Sequence, residues 1–481
     1  MNELIQWAGI LLIGVSAVAM RWPAWRLPAL VFALLAMPGN VDNLLPQMTL
    51  DPNPIADNTA PVFSAIDRLI ALATVLTLRE GRWQRLGREA RWIIVGGLAL
   101  WALATASALV ALASGVEPAA VARGSVTFLR VAVLLFLAFG LADQLRDGAP
   151  MAIAAALGTL SLLANGLYTS SQLDSTRFTA ATFGRNGFSL VLIIAMLLAA
   201  GLAVTYAQRS RWLAAAPALT VASAALFGSI ATGTRASLLA VVPAIGFALI
   251  VNRSWTSRRG ILGLVGMLAL AISVSAAAAL WTSEGGRALS VFTDPGETVD
   301  VVTDPSGQPW YSPVRTRTHF WSLAGHMITE QPLTGVGPYQ WNIQRYELDP
   351  QGITAVVDPH MTYLQLAAEY GVPVFAGYVI LLAACMTMIV GYAWRAGLPT
   401  SRDWTATTLA ASAVLFPVTE LTNSHFFNVR LGPFGWLIFA SAVALSYLAY
   451  AERRRRLSAG SVRAFRSAQE SGQHGGVTAE G

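Results

Sequence analysis

Apolar runs of about 18–22 residues recur from one end of the chain to the other, and this repetition limits what it can fold into. A run of that length crosses the hydrocarbon core of a bilayer as a helix. In lipid, backbone N–H and C=O groups must be satisfied within helices or in a closed barrel. Barrel strands would read as alternating segments of about 10 residues, and the chain has none. The expected fold is an all-α polytopic membrane protein. Candidate spans fall near 4–20, 27–46, 62–78, 92–113, 126–142, 151–168, 185–206, 213–231, 237–251, 260–281, 372–394, 404–422 and 432–450. The expected number of transmembrane helices is therefore about 12–14. Only 12% of the residues are charged, against about 25% in an average soluble domain. A soluble globular enzyme, a disordered chain and a disulfide scaffold are excluded. The single cysteine, Cys385, lies in an apolar run, so no intrachain disulfide can form. The N-terminal stretch lacks a basic n-region and a small-residue cleavage site, and reads as a first span rather than a signal peptide.

All 32 basic residues are arginine, against 26 acids. In a membrane chain such an excess reports orientation, not affinity for nucleic acid. One set of connections holds Arg21 and Arg26, then Arg79, Arg82, Arg85, Arg88 and Arg91, then Arg146, Arg209 and Arg211. It continues with Arg253, Arg258 and Arg259, then Arg395 and Arg402, then the run 453–456. These connections alternate with poorer ones, and the positive-inside rule makes them cytoplasmic. The N-terminus is then expected outside and the C-terminus inside. The opposite face receives one long hydrophilic insertion. Four regions follow: 1–281, the first part of the bundle; 282–371, the large outer loop; 372–450, the C-terminal spans; and 451–481, a Ser-, Gly- and Gln-rich tail expected to be disordered. The loop is predicted to contain a helix over VRTRTHFWSLAGHMITEQ, a PLTGVG turn and a second helix beginning near Asp358. A loop this long is not a passive connector, and loops on rigid scaffolds tend to carry chemistry.

Arginines outside the cytoplasmic set are costly near the bilayer unless they pair with an acid or meet an anion. Arg68 has Asp67 beside it and reads as structural. Arg130, a turn inside a span, can face the bundle interior. Arg123, Arg177, Arg287 and Arg345 read as interfacial or loop charges. Arg235, in IATGTRASLLA, occupies a very short outer turn among small residues. Arg185 opens a span in TFGRNGFSL with Asn186 beside it. Helix N-termini and the planar guanidinium both suit phosphate oxygens, so these positions fit a membrane-anchored phosphate or diphosphate. Contact with ordinary phospholipid headgroups is the alternative.

Proton-transfer groups lie in the long loop. In VVDPHMTYLQLAAEYG, Asp358 is predicted to cap a helix with Pro359 at its first position. His360 would occupy the first turn, where the helix dipole disfavours the imidazolium and leaves a base. Tyr363 and Glu369 follow on the same helix. His319 and His326 share a helical face, with Arg315 and Arg317 about a turn earlier. A zinc site of His319, His326 and His360 lacks any HExxH or Cys/His spacing, and no metal is expected. No G-x-S-x-G, Walker A or DxD-type element stands out, so neither a nucleotide nor another cofactor is expected. His425 reads as interfacial. Trp310, Tyr311, Trp321, Tyr339 and Trp341 gather in the loop and fit either stacking on sugar rings or docking on the membrane surface.

Three segments together resemble the O-antigen ligase and polymerase superfamily of bacterial envelope glycosyltransferases. TGTRAS at 232–237 is similar to that family's Thr-Arg-small turn. RTHFWSLAGHMITEQPLTGVGPYQW at 317–341 resembles its Arg-x-x-x-Trp and Pro-Leu-x-Gly-x-Gly stretch. PHMTYLQLAAEYGVPVF at 359–375 resembles its His-Asn-x-Tyr-Leu and Glu-x-Gly stretch, with Met361 where members commonly carry Asn. TFGRNGFSL at 182–190 is a weaker fourth match. The resemblance implies a GT-C-like helical scaffold in the bacterial inner membrane, with its site facing the periplasm. It implies a glycan donor on undecaprenyl diphosphate and a glycan or lipid A-core acceptor, without metal or nucleotide. Combined with the residues, it suggests Arg185, Asn186, Arg235, Arg315 and Arg317 at the diphosphate. His360 would be the base, Arg235 would act with it in catalysis, and Tyr363, Glu369 and His319 would position the acceptor. A polymerase of the same superfamily is the near alternative. A transporter or flippase of lipid-linked sugars is the distant one, weakened by the lack of an internal repeat. A glycan-binding sensor without chemistry is a third.

Overall fold

Segments that cannot bond their backbones to lipid close those bonds as helices, and among the described residues the chain is helical and carries no strand. The computed structural model describes residues 2–36, 63–146, 148–172, 184–232, 234, 241–248, 273, 313–349, 359–396, 404–428 and 430–474. The first eight helices are α1 (Asn2–Ala19), α2 (Pro23–Ala36), α3 (Ala65–Arg79), α4 (Arg88–Ala113), α5 (Pro118–Gly140), α6 (Gly148–Gln172), α7 (Gly184–Gln208) and α8 (Trp212–Ala231). After the described stretch 241–248 follow α9 (Pro313–Glu330), α10 (Trp341–Leu348), α11 (Thr362–Tyr370), α12 (Val372–Ala396), α13 (Trp404–Thr419) and α14 (Leu431–His474). Among the described residues six helices are long and apolar enough to cross a membrane: α4, α5, α7, α8, α12 and α14. Shorter apolar stretches lie in α1, α2, α6 and α13. Of the predicted span 237–251 the structure describes 241–248, and the predicted span 260–281 falls almost wholly outside the described residues.

The chain's own signals set several of these ends. Ser64 and Asp67 form a reciprocal capping box at the start of α3. Pro118 opens α5, where its missing N–H costs nothing. The helices pack as neighbours in the pairs α4–α5, α2–α6, α7–α8, α7–α13, α12–α14 and α5–α14. α5 and α14 are sealed on most sides by Phe128, Leu134, Leu137, Phe434, Leu437 and Phe439. α4 instead leaves Trp92, Leu103 and Leu109 exposed, an apolar face suited to lipid.

The bundle has two distinct ends. At one, Arg26 pairs with Glu80 and donates to the Met20 carbonyl at 2.9 Å, while Arg82 pairs with Asp143 at 2.9 Å and with Glu80 at 3.2 Å. The hydrogen bond from Arg26, with the weaker one from Arg82, holds the Glu80 carboxyl below its usual range despite partial burial. This arginine-rich end also receives Tyr447 of α14, whose hydroxyl lies 3.4 Å from Glu89. The exposed run Arg453–Arg456 follows on the same helix. At the other end, an aromatic cluster of Phe128, Tyr370, Tyr378, Phe426 and Phe427 joins α5, α11 and α12 to the turn before α14.

Three expectations need correction. Asp67 pairs not with its neighbour Arg68, which is exposed, but with Arg130, through bonds of 2.6 and 2.8 Å. Successive helical residues point about 100° apart, so adjacent charges diverge while charges on facing helices can meet. α5 begins two turns before the predicted 126, which carries Arg123 inside a helix and leaves it 7% exposed. The stretch after Arg456, expected to be disordered, continues α14 as far as His474. Its Ala, Arg, Gln and Glu residues are good helix formers, and the preceding span supplies the nucleus.

Candidate active site

The long loop folds around a small core of its own. Phe320, Leu323, Ala324 and Met327 lie at helical spacing on α9, and they pack with Val336, Trp341 and Ala368. Trp341 meets Phe320 edge-on with ring centres 6.5 Å apart. The turn between α9 and α10 lies against the end of α11, backbone to backbone. Val336 N–H donates to the Ala368 carbonyl and Gly337 N–H to the Glu369 carbonyl, both at 2.9 Å. Val372 N–H donates to the Pro332 carbonyl at 2.8 Å. This approach needs glycine. A Cβ on Gly335 would overlap the Glu369 carbonyl, one on Gly371 would overlap the Leu333 carbonyl, and both residues have positive φ. From α4, the Ser107 hydroxyl reaches the carbonyls of Thr334 (2.7 Å) and Tyr370 (3.1 Å) and clasps both sides. The Pro-Leu-x-Gly-x-Gly and Glu-x-Gly stretches are thus two halves of one interlock.

His360 stands just outside α11. The helix starts at Thr362, with Met361 at its cap position and no side-chain cap bond. The predicted cap, Asp358, lies outside the described residues, and Pro359 and His360 precede the helix rather than opening it. His360 is half-buried with φ of +52°, a backbone conformation that costs a non-glycine residue and persists only where its surroundings impose it. The restraint begins two residues on. Thr362 N–H reaches the carbonyls of Glu420 (3.1 Å) and Asn423 (3.2 Å), and its hydroxyl donates to the Glu420 carboxylate. That carboxylate also accepts from Phe426 N–H at 3.3 Å, and Glu420 is fully buried. Glu420 was not foreseen. The available signal was a lone acid at the end of an apolar span, a placement that is costly without a purpose.

The other predicted site residues divide by position. Arg317 and His319 are on α9; Arg317 is half-buried, and His319 Nε2 lies 2.7 Å from Asp349 Oδ2 just past α10. Asp349, a second unforeseen partner, follows α10 and so was distant in sequence. Arg315 lies in the first turn of α9, and Arg185 and Asn186 lie in the first turn of α7, as predicted. Arg235 falls outside the described residues. Tyr363 donates to the Pro417 carbonyl at 3.0 Å, and burial, with the charge of Glu420, raises its phenol above the usual range. Glu369 is fully enclosed, and its oxygens accept from the N–H groups of Tyr339 (3.1 Å) and Trp341 (3.3 Å) and from the Gln365 amide (3.2 Å). Burial pushes its carboxyl up to about 7, against the opposing pull of those bonds and of Arg123. The hydrogen bonds to its oxygens all come from the loop itself. Among the described residues no group of three or more His, Cys, Asp or Glu is placed to hold a metal ion, and His319, His326 and His360 do not converge on one.

Several bland expectations shift as well. Arg345 is not a loop charge in water: it is 3% exposed, lies 5.9 Å from the Phe320 ring centre, and burial lowers its pKa despite Asp349. His425 is buried in a short turn with Phe426 and Phe427. Of the loop aromatics, Trp341 is core and Tyr339 is engaged by Arg123; Trp321 remains exposed. Trp310 and Tyr311 lie outside the described residues.

No curated protein matches the chain. A family model described as O-Antigen ligase matches residues 219–379. That range contains the TGTRAS, RTHFW–PLTGVG and PHMTY–EYG segments, and it leaves out the weaker fourth stretch at 182–190. Through residues 219–379 the chain is thus matched to the O-antigen ligase family, and its resemblance to the O-antigen ligase and polymerase superfamily is supported.

Proposed function

We propose that the protein transfers a glycan from undecaprenyl diphosphate to a sugar hydroxyl on the periplasmic face, as an O-antigen ligase-type enzyme, with inversion and without metal or nucleotide. The observation that carries this reading is the interlock of two sequence stretches into one outer unit. Arg317 and His319 on α9 and His360 ahead of α11 belong to a single packed body at one end of the bundle.

In this reading Arg235, Arg185 and Arg317, with Arg315 and Asn186, hold the diphosphate. They stabilise the charge that grows on it as the anomeric bond breaks. His360 takes the proton from the acceptor hydroxyl, whose oxygen attacks the anomeric carbon from the face opposite the diphosphate. Thr362 and Glu420 hold the strained segment that presents His360. Tyr363 and His319, the latter oriented by Asp349, position the acceptor. The site would face the periplasm of a bacterial inner membrane with the C-terminus in the cytoplasm, and the alternation of the arginines supports that orientation.

The test supplies purified protein with an undecaprenyl-diphosphate-linked glycan and two acceptors, a lipid A-core and a second lipid-linked glycan. Core-linked product marks a ligase, and a lengthened lipid-linked glycan marks a polymerase. Arg235→Ala should abolish either product while the protein still accumulates in the membrane. Transfer at the wild-type rate by that variant would remove Arg235 from the site. Donor binding without turnover on any acceptor would favour a transporter or binding protein.

A further inference from the structure

α5 carries an arginine that a helix among lipid and apolar neighbours does not need for its own stability. Arg123 is almost wholly buried, and its guanidinium carbon lies 4.3 Å from the centre of the Tyr339 ring. The next residue, Gly124, lacks a side chain where the Tyr370 hydroxyl and the Pro338 ring come against the helix. One turn on from Arg123, Thr127 Oγ1 lies 3.3 Å from the Tyr339 hydroxyl. Tyr339 itself is held at φ of +59°, the second strained non-glycine residue of the outer unit beside His360. Its N–H and that of Trp341 are gripped by the two oxygens of Glu369. Glu369 lies on the helix that follows His360. Trp341 packs on Phe320, which is one turn from Arg317 and next to His319.

We propose that Arg123, Tyr339 and Glu369 form a positioning joint for the transfer step. It fixes the helix that follows His360 against the helix that carries Arg317 and His319, and it fastens both to α5. The inference rests on the transfer reading above and names residues that act through the site rather than on substrate. A guanidinium over an aromatic face is drawn to the ring's negative face, and more strongly once both are desolvated. A buried carboxyl whose two oxygens each accept from a backbone N–H adds to that hold. Such an outlay suits a place where geometry governs rate, since a shift of about 1 Å between reacting groups costs on the order of 100-fold. Among the described residues the charged and titratable groups facing Glu369 are Arg123 from α5, Tyr339 from the turn and Tyr370 from its own helix.

The experiment measures transfer by the full-length purified protein and by Tyr339→Leu, Tyr339→Phe, Arg123→Lys and His360→Ala, with melting temperatures in the same detergent. Lysine keeps the charge but not the flat stacking face. Tyr339→Leu and Arg123→Lys should lower kcat by about 10- to 100-fold. Donor KM should stay within about 3-fold, because binding contacts are kept. Tyr339→Phe, which keeps the ring, should restore most of kcat. Wild-type kcat in Arg123→Lys, or a rise in KM alone, would overturn the joint. Equal losses in Tyr339→Leu and Tyr339→Phe would do the same. If Tyr339→Leu is not recovered from the membrane, Arg123→Lys decides by the same criteria. The underlying reading fails separately: an inactive wild-type protein overturns both, and a fully active His360→Ala removes only the base.

Discussion

Met361 occupies the cap position of α11 in extended backbone with φ of −157°, and no side-chain bond reaches the helix's free N–H groups. Asparagine, common at this place in the family that the chain resembles, is among the best caps there is. At this position an asparagine side chain would supply the cap bond that Met361 lacks. Met361→Asn should raise stability by about 1 kcal/mol, read as a higher melting temperature, and leave acceptor preference unchanged. Glu369 gives the pH counterpart. Burial raises its pKa to about 7 in the fold, above the unfolded value near 4.5. The native state then holds more protons between those two values, so stability falls as pH rises from about 4.5 to 7 and levels off beyond. Glu369→Gln should flatten that slope across the same window; an unchanged slope would show that the carboxyl ionises as easily in the fold as outside it. At this scale the sequence was informative about residue types and uninformative about partners. His360, Arg317 and His319 stand out in the sequence by type and place. Glu420 and Asp349 meet residues 58 and 30 positions away, and no local pattern connects residues so far apart.

Helices α9 and α11 and the turn between α9 and α10 show what a pattern can and cannot reveal about an element. The apolar spacing of α9 and the Gly-rich PLTGVG stretch made a helix and a turn legible. That the turn locks onto the end of α11 was not legible, because backbone contact between distant segments leaves no periodicity. The glycines are the trace it does leave. Gly335→Ala and Gly371→Ala should each destabilise the outer unit by about 1–3 kcal/mol, since both combine positive φ with a Cβ that meets backbone. The same substitution at Gly325, where nothing lies near the new Cβ, should be neutral or stabilising. A comparison of melting temperatures across the three variants checks the difference. Element ends were the weak point of prediction. α5 starts early because Pro118 begins it, and α14 outlasts its apolar run because polar helix formers continue it.

Across the whole molecule, hydropathy was enough for the all-helical membrane architecture, because length and apolarity fix a span without knowledge of its neighbours. In the structure Arg26 and Arg82 stand at one end of the bundle, and the interlocked loop stands at the other. Which end faces the periplasm is open to a direct check. Cys385 is buried, so a membrane-impermeant thiol reagent should leave the native chain unlabelled in intact cells. Thr318→Cys, on the exposed face of α9, should be labelled from outside, and Ser458→Cys should be labelled only after the membrane is opened. The reverse pattern would invert the orientation and end the periplasmic reading. In the proposed reaction this unit performs base-assisted transfer from a lipid diphosphate. The most direct measurement is release of undecaprenyl diphosphate by the purified protein and by His360→Ala, with the acceptor present. Release coupled to acceptor-linked product, lost in the variant at unchanged melting temperature and donor affinity, is the predicted result. Release at the wild-type rate by folded His360→Ala would contradict it.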